Sequence, residues 1–387
     1  MKILFFNYEY PPLGGGAANA TRYILQEFAN MPDLEVDLIT SSVDEKYHLE
    51  KIGQNIRLHK LPIGKNENNL HFQSQKNLLV YSWRAYIFSR KLVKSAQKNK
   101  QPYSLSHSFF TVPCGFLSML LEYEFGLPYI ISLRGSDVPY YSDRFIFLYK
   151  FIAPLIKFIW KKSDQVISNS EGLRKLAHKS APKQAIEIIY NGIDTNQFKP
   201  KEEKKHLQNK FIITPGASRL TDRKGINYLI EAIAMLAPKY PQILLKIMGD
   251  GNARQKLEEM VKKMQLEKNV EFVGIIPHEK VLPYYQEATL FVFPSLNEGM
   301  SNAMLEALAT GLPLVSTNTG GASELVFENK NGFIIKFKNS ADIAEKLDKL
   351  INNPKLIKDM SMESRKIAEK MSWESVAKQY RKAYFDI

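Results

Sequence analysis

Short apolar runs alternate with helix-patterned stretches along both halves of this chain, and that alternation constrains its fold more than any other feature. Candidate strands are Lys2–Asn7, Glu35–Thr40, Tyr129–Leu133, Gln165–Asn169 and Ile186–Tyr190, then Phe211–Gly216, Ile243–Met248, Val270–Val273, Leu290–Pro294 and Leu314–Thr317. Helix patterns such as Gly225–Ala237, Ala253–Met264, Lys280–Glu287 and Asn302–Thr310 fall between them. Such alternation implies parallel α/β sheets with right-handed crossovers. A chain of 387 residues exceeds what one core usually holds, so two domains are expected. The polar stretch Asp194–Lys210, with Pro200 and the charge run Lys199–Lys205, reads as the linker. The expected domains are therefore 1–195 and 196–372, each a doubly wound sheet. In such sheets a ligand sits beyond the carboxyl ends of the strands, and two of them facing each other would form a central cleft.

The motifs with chemical content come after candidate strands. In Pro294–Glu306, Glu298 precedes Gly299, and Glu306 falls inside Ala303–Ala309, a run of strong helix formers. Met300, Ser301 and Asn302 lie between, where the backbone N–H groups of a helix's first turn attract phosphate. One carboxylate at the mouth, amides for a diphosphate and a deeper carboxylate for hydroxyl groups make a workable nucleotide-sugar site. Gly216–Gly225 carries Arg219, Arg223 and Lys224 after a strand. Arg219 and Lys224 are the candidates for neutralising a departing diphosphate, and Arg223 is read as facing water. A solvated basic loop is the alternative. Met248–Gly251, with Gly249, suits the base and ribose side. Gly274–Pro277 would offer backbone to a nucleobase edge, with Ile275 and Ile276 covering the ring. Pro11–Gly16 comes after the first strand, and its glycines permit close approach to a ligand. Plain turns explain these last three segments equally well. The seven histidines show no metal-ligand spacing and no D-x-D pair is present, so no metal or other cofactor is expected.

The net charge of +13 suits anionic ligands, nucleic acid or an anionic membrane surface. Arg84, Arg90, Lys91, Lys94, Lys98 and Lys100 fall in a segment without acids, which is either a solvated helix face or a contact surface. Phe145–Trp160, flanked by Lys161 and Lys162, is read as a mostly buried helix kinked near Pro154, in preference to a surface helix touching anionic lipid. One cysteine, Cys114, excludes an internal disulfide and fits a reducing cytosol. The N-terminus does not read as a signal peptide, and no apolar run is long enough for a transmembrane helix.

In their order, these pieces resemble the GT-B-fold retaining glycosyltransferases of family 4, the glycosyltransferase group 1 domain. Lys2–Gly16 is similar to the opening strand and Gly-rich loop of that family. Ile131–Asp137 is similar to its H-G-x-D region, with Arg134 in the His place, and Ser168–Gly172 and Ile189–Asp194 match further landmarks. Residues 216–225, 248–251, 274–277 and 294–306 match its donor domain. The tail from Trp373 resembles the last helix of the family, which crosses back to the first domain, so 373–387 is assigned there. The resemblance implies two Rossmann-like domains, a donor sugar on UDP, GDP or occasionally ADP, no metal, and a glycan, lipid-linked or small-molecule acceptor; the basic helix and Phe145–Lys162 suggest a lipid-linked glycan at the cytoplasmic membrane face. It implies that Arg219 and Lys224 hold the diphosphate and that Glu306 takes the ribose hydroxyls. Glu298 would lie by the transferred sugar, Met300, Ser301 and Asn302 would offer amides, and Gly15, Gly16, Gly216 and Gly249 would border the donor. His107, Arg134 and Asp137 are the acceptor-side candidates. The family's second His in H-x-H-F is Phe109 here, which favours a structural imidazole at His107.

Three other readings stand beside this one: a UDP-sugar 2-epimerase of the same architecture, an inactive nucleotide- or glycan-binding module, and a nucleic-acid binder. The first lacks its acid/base set in the first half. The second conflicts with intact cations and glutamates, and the third lacks a stacking-aromatic module.

Overall fold

The computed structural model describes residues 1–65, 74–141, 146–201, 210–297, 300–319 and 321–387. The chain divides into two units, Met1–Asn191 with Trp373–Ile387, and Gly192–Ser372. The division falls at the start of the segment read as a linker.

In the first unit the elements run β1 (Lys2–Phe6), α1 (Gly16–Phe28), β2 (Glu35–Ser41), β3 (His48–Ile52), β4 (Ile56–Leu61), α2 (Gln75–Lys98), β5 (Leu105–Phe109), α3 (Phe116–Phe125), β6 (Tyr129–Leu133), α4 (Ile146–Lys162), β7 (Gln165–Ser168), α5 (Glu171–Ser180) and β8 (Glu187–Ile188). The second unit holds β9 (Phe211–Thr214), β10 (Ala217–Arg219), α6 (Ile226–Leu236), β11 (Ile243–Asp250), α7 (Arg254–Lys263), β12 (Val270–Gly274), α8 (Leu282–Glu287), β13 (Leu290–Phe293), α9 (Asn302–Ala309), β14 (Leu314–Thr317), α10 (Ala322–Leu325), β15 (Gly332–Ile335), α11 (Ser340–Ile351) and α12 (Pro354–Glu369). The last helix, α13 (Trp373–Phe385), belongs to the first unit.

The first sheet has the order β3-β4-β2-β1-β5-β6-β7-β8, parallel throughout except for the β3–β4 edge pair. The chain winds outward from β1 through β2 to β4, then returns to the middle and winds outward again from β5. Parallel strands covered on both faces read as continuous apolar runs, and Ile3, Leu4, Phe5 and Phe6 of β1 are all fully buried. The tail helix α13 packs on α1, with Trp373 stacked on Tyr23 at 5.2 Å between ring centres.

Within β2, Asp37 is buried at 2% exposure and gathers four hydrogen bonds. Arg57 donates from Nε at 2.6 Å and Nη2 at 2.9 Å, Tyr103 donates its hydroxyl at 2.6 Å, and His59 Nε2 lies 2.9 Å away.

The second sheet becomes clear once β9 and β10 are taken as one interrupted strand. Leu245 of β11 pairs with Ile213 on one side and Val270 on the other, while Met248 pairs with Ala217 and Gly274. So β9 and β10 lie on the same side of β11, and β12 lies on the opposite side. The effective order is β12-β11-β9-β13-β14-β15, all parallel. Numbered from β9, that is the 3-2-1-4-5-6 order of the dinucleotide-binding doubly wound fold. Its switch point lies between β9 and β13.

The expectation for Phe145–Trp160 requires correction. Phe145 lies outside the described residues, and over 151–162, where side chains are described, α4 is not mostly buried. Ile156, Ile159 and Trp160 are sealed against the sheet, whereas Leu155 and Phe158 point outward. A helix on a sheet surface buries one stripe, and here the outer stripe is apolar as well.

Candidate active site

The switch point is built by three short backbone devices. The first is the bulge between β9 and β10. Four residue steps on this strand, Ile213 to Ala217, oppose three on β11, Leu245 to Met248. The extra residue bends the strand and re-aims the side chains beyond it. Gly216 sits in the bulge with φ +77°, and a Cβ there would lie 2.8 Å from the Phe291 ring and 3.1 Å from Ala303 Cβ. Only glycine lets this turn press against the first turn of α9. Arg219, at the end of β10, is exposed.

The second device is the 3-10 turn Asp222–Lys224, closed by Gly225 at φ +67°. Leu296 N–H donates to Arg223 O at 2.8 Å and Ser295 Oγ donates to the same oxygen at 3.3 Å. A Cβ on Gly225 would meet Pro294 O at 2.2 Å. The turn is thereby clamped onto the chain leaving β13. Lys224 is half-buried, its ammonium 5.3 Å from the centre of the Phe293 ring.

The third device is the start of α9. Ser301 caps it, its carbonyl accepting from Met304 N at 3.1 Å and Leu305 N at 3.2 Å, and its hydroxyl accepting from Met304 N at 3.4 Å. The helix proper begins at Asn302. Of the three expected amide donors, Asn302 is therefore in the first turn, Ser301 is the cap, and Met300 precedes the helix. Met300 is buried, its methyl 3.0 Å from where a Cβ on Gly321 would be. Glu298 and Gly299 lie outside the described residues.

Glu306 stands on the second turn of α9, only 6% exposed. A buried carboxylate must be hydrogen-bonded, and two residues not singled out from the sequence do this. Tyr285 donates its hydroxyl to Oε2 at 2.9 Å, and His278 Nε2 lies 2.8 Å from Oε1. Phe198 packs on both rings, 5.8 Å from His278 and 6.4 Å from Tyr285. Its carbonyl is held in turn by Arg365 Nη1 at 2.9 Å. The available signal was the rule itself, because a glutamate within an apolar helix run implies donors elsewhere. Tyr285→Phe is expected to cost about 1–3 kcal/mol by removing a hydrogen bond to a charged group. Urea unfolding reads this as a lower midpoint at unchanged slope; an unmoved midpoint would show that the hydroxyl does not hold Glu306.

Gly249, at φ +116°, is still within β11, paired with Ser218 of β10, so the turn expected over Met248–Gly251 begins only after Asp250. Gly251 presses on Leu220, whose carbonyl a Cβ would meet at 2.2 Å. After β12, Ile275 is 68% exposed and Ile276 half-buried. Gly216, Arg219, Lys224, Asn302 and Glu306 are thus gathered at the carboxyl ends of β9, β10 and β13, with Gly249 and Ile275 at the neighbouring strand ends. Among the described residues no three His, Cys, Asp or Glu side chains group as metal ligands.

The remaining candidates lie in the first unit. Gly15 precedes α1 and Gly16 opens it, with nothing within 4 Å of a Cβ built on Gly15. His107 is fully buried, with Nδ1 2.7 Å from the Tyr384 hydroxyl and Nε2 2.8 Å from Ser132 Oγ. Burial and then the nearby Arg134 charge hold its pKa well below the ordinary imidazole value. Asp137 is buried and accepts from Thr111 N at 2.9 Å and from Arg134 N and Gly135 N at 3.0 Å. Burial pushes its carboxyl pKa up against those donors. Both ring nitrogens of His107 thus have partners inside the first unit, and Asp137 braces its own loop. Arg134 is partly exposed; it lies 3.4 Å from the centre of the Phe109 ring and donates to Asn191 Oδ1 at 2.8 Å and Tyr380 OH at 3.0 Å.

Two family models match in succession, Glycosyltransferase Family 4 over residues 14–197 and Glycosyl transferases group 1 over residues 196–367. The chain belongs to the group 1, family 4 glycosyltransferases. This glycosyltransferase is 26% identical over 392 residues to an uncharacterized glycosyltransferase of Methanocaldococcus jannaschii, a match covering 100% of this chain and 99% of that one. Its fold is similar to that of sucrose-phosphate synthase from Thermosynechococcus elongatus, with TM-score 0.81, 20% identity and coverage of 100% and 98%. It is also similar to Anabaena HepE in complex with UDP-glucose, with TM-score 0.75, 19% identity and both chains fully covered at 100%. The glycosyltransferase has the GT-B fold these structures share, two parallel-sheet α/β units.

Proposed function

We propose that this glycosyltransferase is a retaining, metal-independent enzyme that moves a hexose-type sugar from UDP or GDP to an acceptor hydroxyl on a glycan, a lipid-linked glycan or a small molecule. The observation that carries this reading is the convergence of Lys224, Arg219, the α9 N-terminus and buried Glu306 on one switch point. Transfer requires a nucleoside diphosphate to leave, so negative charge grows on its oxygens in the transition state. Fixed positive groups aimed at that position lower the barrier without reorganising. A helix start contributes about half a positive charge and outward N–H groups. Lys224 adds an ammonium anchored by the Gly225 clamp, and Arg219 a guanidinium able to grip two oxygens. These charges would do what a divalent ion does elsewhere.

Glu306, held by Tyr285 and His278, has lone pairs left to accept ribose hydroxyls. Glu298 is assigned to the transferred sugar on the family resemblance. The departing phosphate oxygen would take the acceptor proton while the hydroxyl attacks the same face of the anomeric carbon. Attack by Glu298 is the competing scheme. HepE of Anabaena was crystallised with UDP and with UDP-glucose, which supports a uridine donor here. The single cysteine fits action in the cytoplasm.

The decisive experiment is a panel of UDP- and GDP-sugars offered to the full chain, first by thermal shift and then by transfer with EDTA present. One nucleotide is expected to raise Tm, Glu306→Ala to weaken it at least tenfold in calorimetry, and an α-linked donor to give an α-linked product by NMR. Glu298→Gln is expected to abolish most transfer in a folded protein. A β-linked product would exclude retention, and activity lost to EDTA would exclude a metal-free site.

A further inference from the structure

Two helices of the first unit carry no acidic residue. They are α2, with six Lys and Arg residues, and α4, with four Lys residues. The shorter α3 packs against both, so the three cover the same face of the sheet. Each acid-free helix also shows apolar side chains to solvent. On α2, Leu79 is 72% and Trp83 68% exposed, one helical turn apart. On α4, Leu155 is 36% and Phe158 50% exposed, on the stripe opposite buried Ile156, Ile159 and Trp160. Between them α3 exposes Tyr123 at 89%.

Exposed single hydrophobics are ordinary, but aromatic and leucine side chains repeated along neighbouring helices mark a contact surface. Position along the helices sharpens this. In a doubly wound unit each crossover helix starts at the carboxyl edge of the sheet and runs back against the strands. Leu79 and Trp83 lie in the first turns of α2, so they sit near that edge. The cations of α2 continue behind them, with Lys91, Lys94 and Lys98 all exposed. Glu124 of α3 pairs with Arg90 and reaches Lys94 at 3.9 Å, and cations outnumber acids across these three helices. On α4, Lys157, Lys161 and Lys162 flank the apolar stripe and are exposed.

We propose that the α2–α3–α4 face is a docking surface for an anionic lipid bilayer. Trp and Tyr rings suit the interfacial layer of a membrane, Leu and Phe its acyl boundary, and lysine stems cover apolar surface while their heads reach the phosphates. Acid-free cations spread over two helices match a diffuse anionic plane. A nucleic acid would satisfy the cations but not the leucines. No helix among the described residues is long and apolar enough to cross a membrane, so the surface lies on the bilayer. This surface is independent of the donor site, and its test needs no turnover.

The test is co-sedimentation of the full chain with vesicles of phosphatidylcholine alone and with about one-third phosphatidylglycerol, at low and high salt. Binding is expected to the anionic vesicles only and to weaken as salt rises. Trp83→Ser with Phe158→Ser is expected to reduce it at least tenfold, and Lys91→Glu with Lys94→Glu at least as much, since each lysine near the surface is worth about fivefold. Lys262→Glu with Lys263→Glu on α7 should change it less than threefold. Equal binding to neutral vesicles, unaltered binding by the Trp83–Phe158 variant, or no binding at all would each overturn the proposal. So would capture by duplex DNA that the Trp83–Phe158 variant leaves intact. Melting temperatures of the variants, all at exposed positions, establish that they are folded.

Discussion

Lys224→Ala is expected to lower kcat for sugar transfer by about 10²–10³-fold, the range found when a fixed donor to a developing anion is removed. The reason lies in how the ammonium is placed. Gly225, in a left-handed conformation, lets the chain approach Pro294 O to a distance that no Cβ permits. Leu296 N–H locks the turn through Arg223 O at 2.8 Å. Lys224 is thereby bound to the end of β13 and to the same switch point as α9. An ammonium positioned before the reaction stabilises the leaving diphosphate more than the bound donor. The loss should therefore fall on kcat, with KM for the donor moving much less. Lys224→Met keeps the apolar stem over Phe293 and removes only the charge, so it should lose nearly as much as alanine. Steady-state kinetics with the preferred donor, alongside melting curves, would decide the matter. A methionine variant within threefold of wild type would mean that the ammonium does not act on the leaving group.

The frame of this site is legible in the sequence, whereas its internal partnerships are not. Strands Tyr129–Leu133 and Leu314–Thr317 can be read to the residue because they are apolar, short and punctuated. The helix at Asn302 is visible through its helix formers. Helix α2 shows only as a run of charge. Strand β5 escapes a sequence reading because Leu-Ser-His-Ser-Phe has no apolar period. Its polar groups are buried against partners that are remote in the chain, such as Tyr384 for His107. The same remote partners, Tyr384 and Ser132, enclose His107, for which the sequence already favours a structural role. The pairing of Glu306 with His278 and Tyr285 depends on β12 and α8 lying beside α9, a consequence of strand order and not of local pattern. The outward stripe of α4 is hidden in the sequence because hydrophobicity along a helix shows how much is apolar, not how much the neighbouring elements can cover.

Asp37→Ala is expected to destabilise the protein by about 3–5 kcal/mol at neutral pH, the cost of removing one partner from a buried ion pair. Burial alone would disfavour the charged carboxylate. Hydrogen bonds from His59, Arg57 and Tyr103 outweigh that and hold its pKa well below the usual carboxylate range. The Arg57 guanidinium is correspondingly raised by Asp37. Without the carboxylate, Arg57, Tyr103 and His59 would lose the one buried acceptor they share. The depressed pKa fixes the sign of the pH dependence. A carboxyl with a depressed folded pKa adds stability that is complete above its unfolded value near 3.9 and is lost as pH falls toward the folded value. The gap between wild type and Asp37→Ala should therefore be widest at about pH 6–7 and should shrink steadily below about pH 4, as the unfolded chain begins to bind the proton that the folded one refuses. Urea midpoints at about pH 7, 5, 4 and 3.5 test this directly. A gap that stays constant across the series would show that Asp37 contributes shape to β2 and not charge, and the cluster would then have to be explained by packing of Tyr47 and Phe88 around His59, whose ring centre lies 6.3 Å from that of Tyr47 and 5.0 Å from that of Phe88.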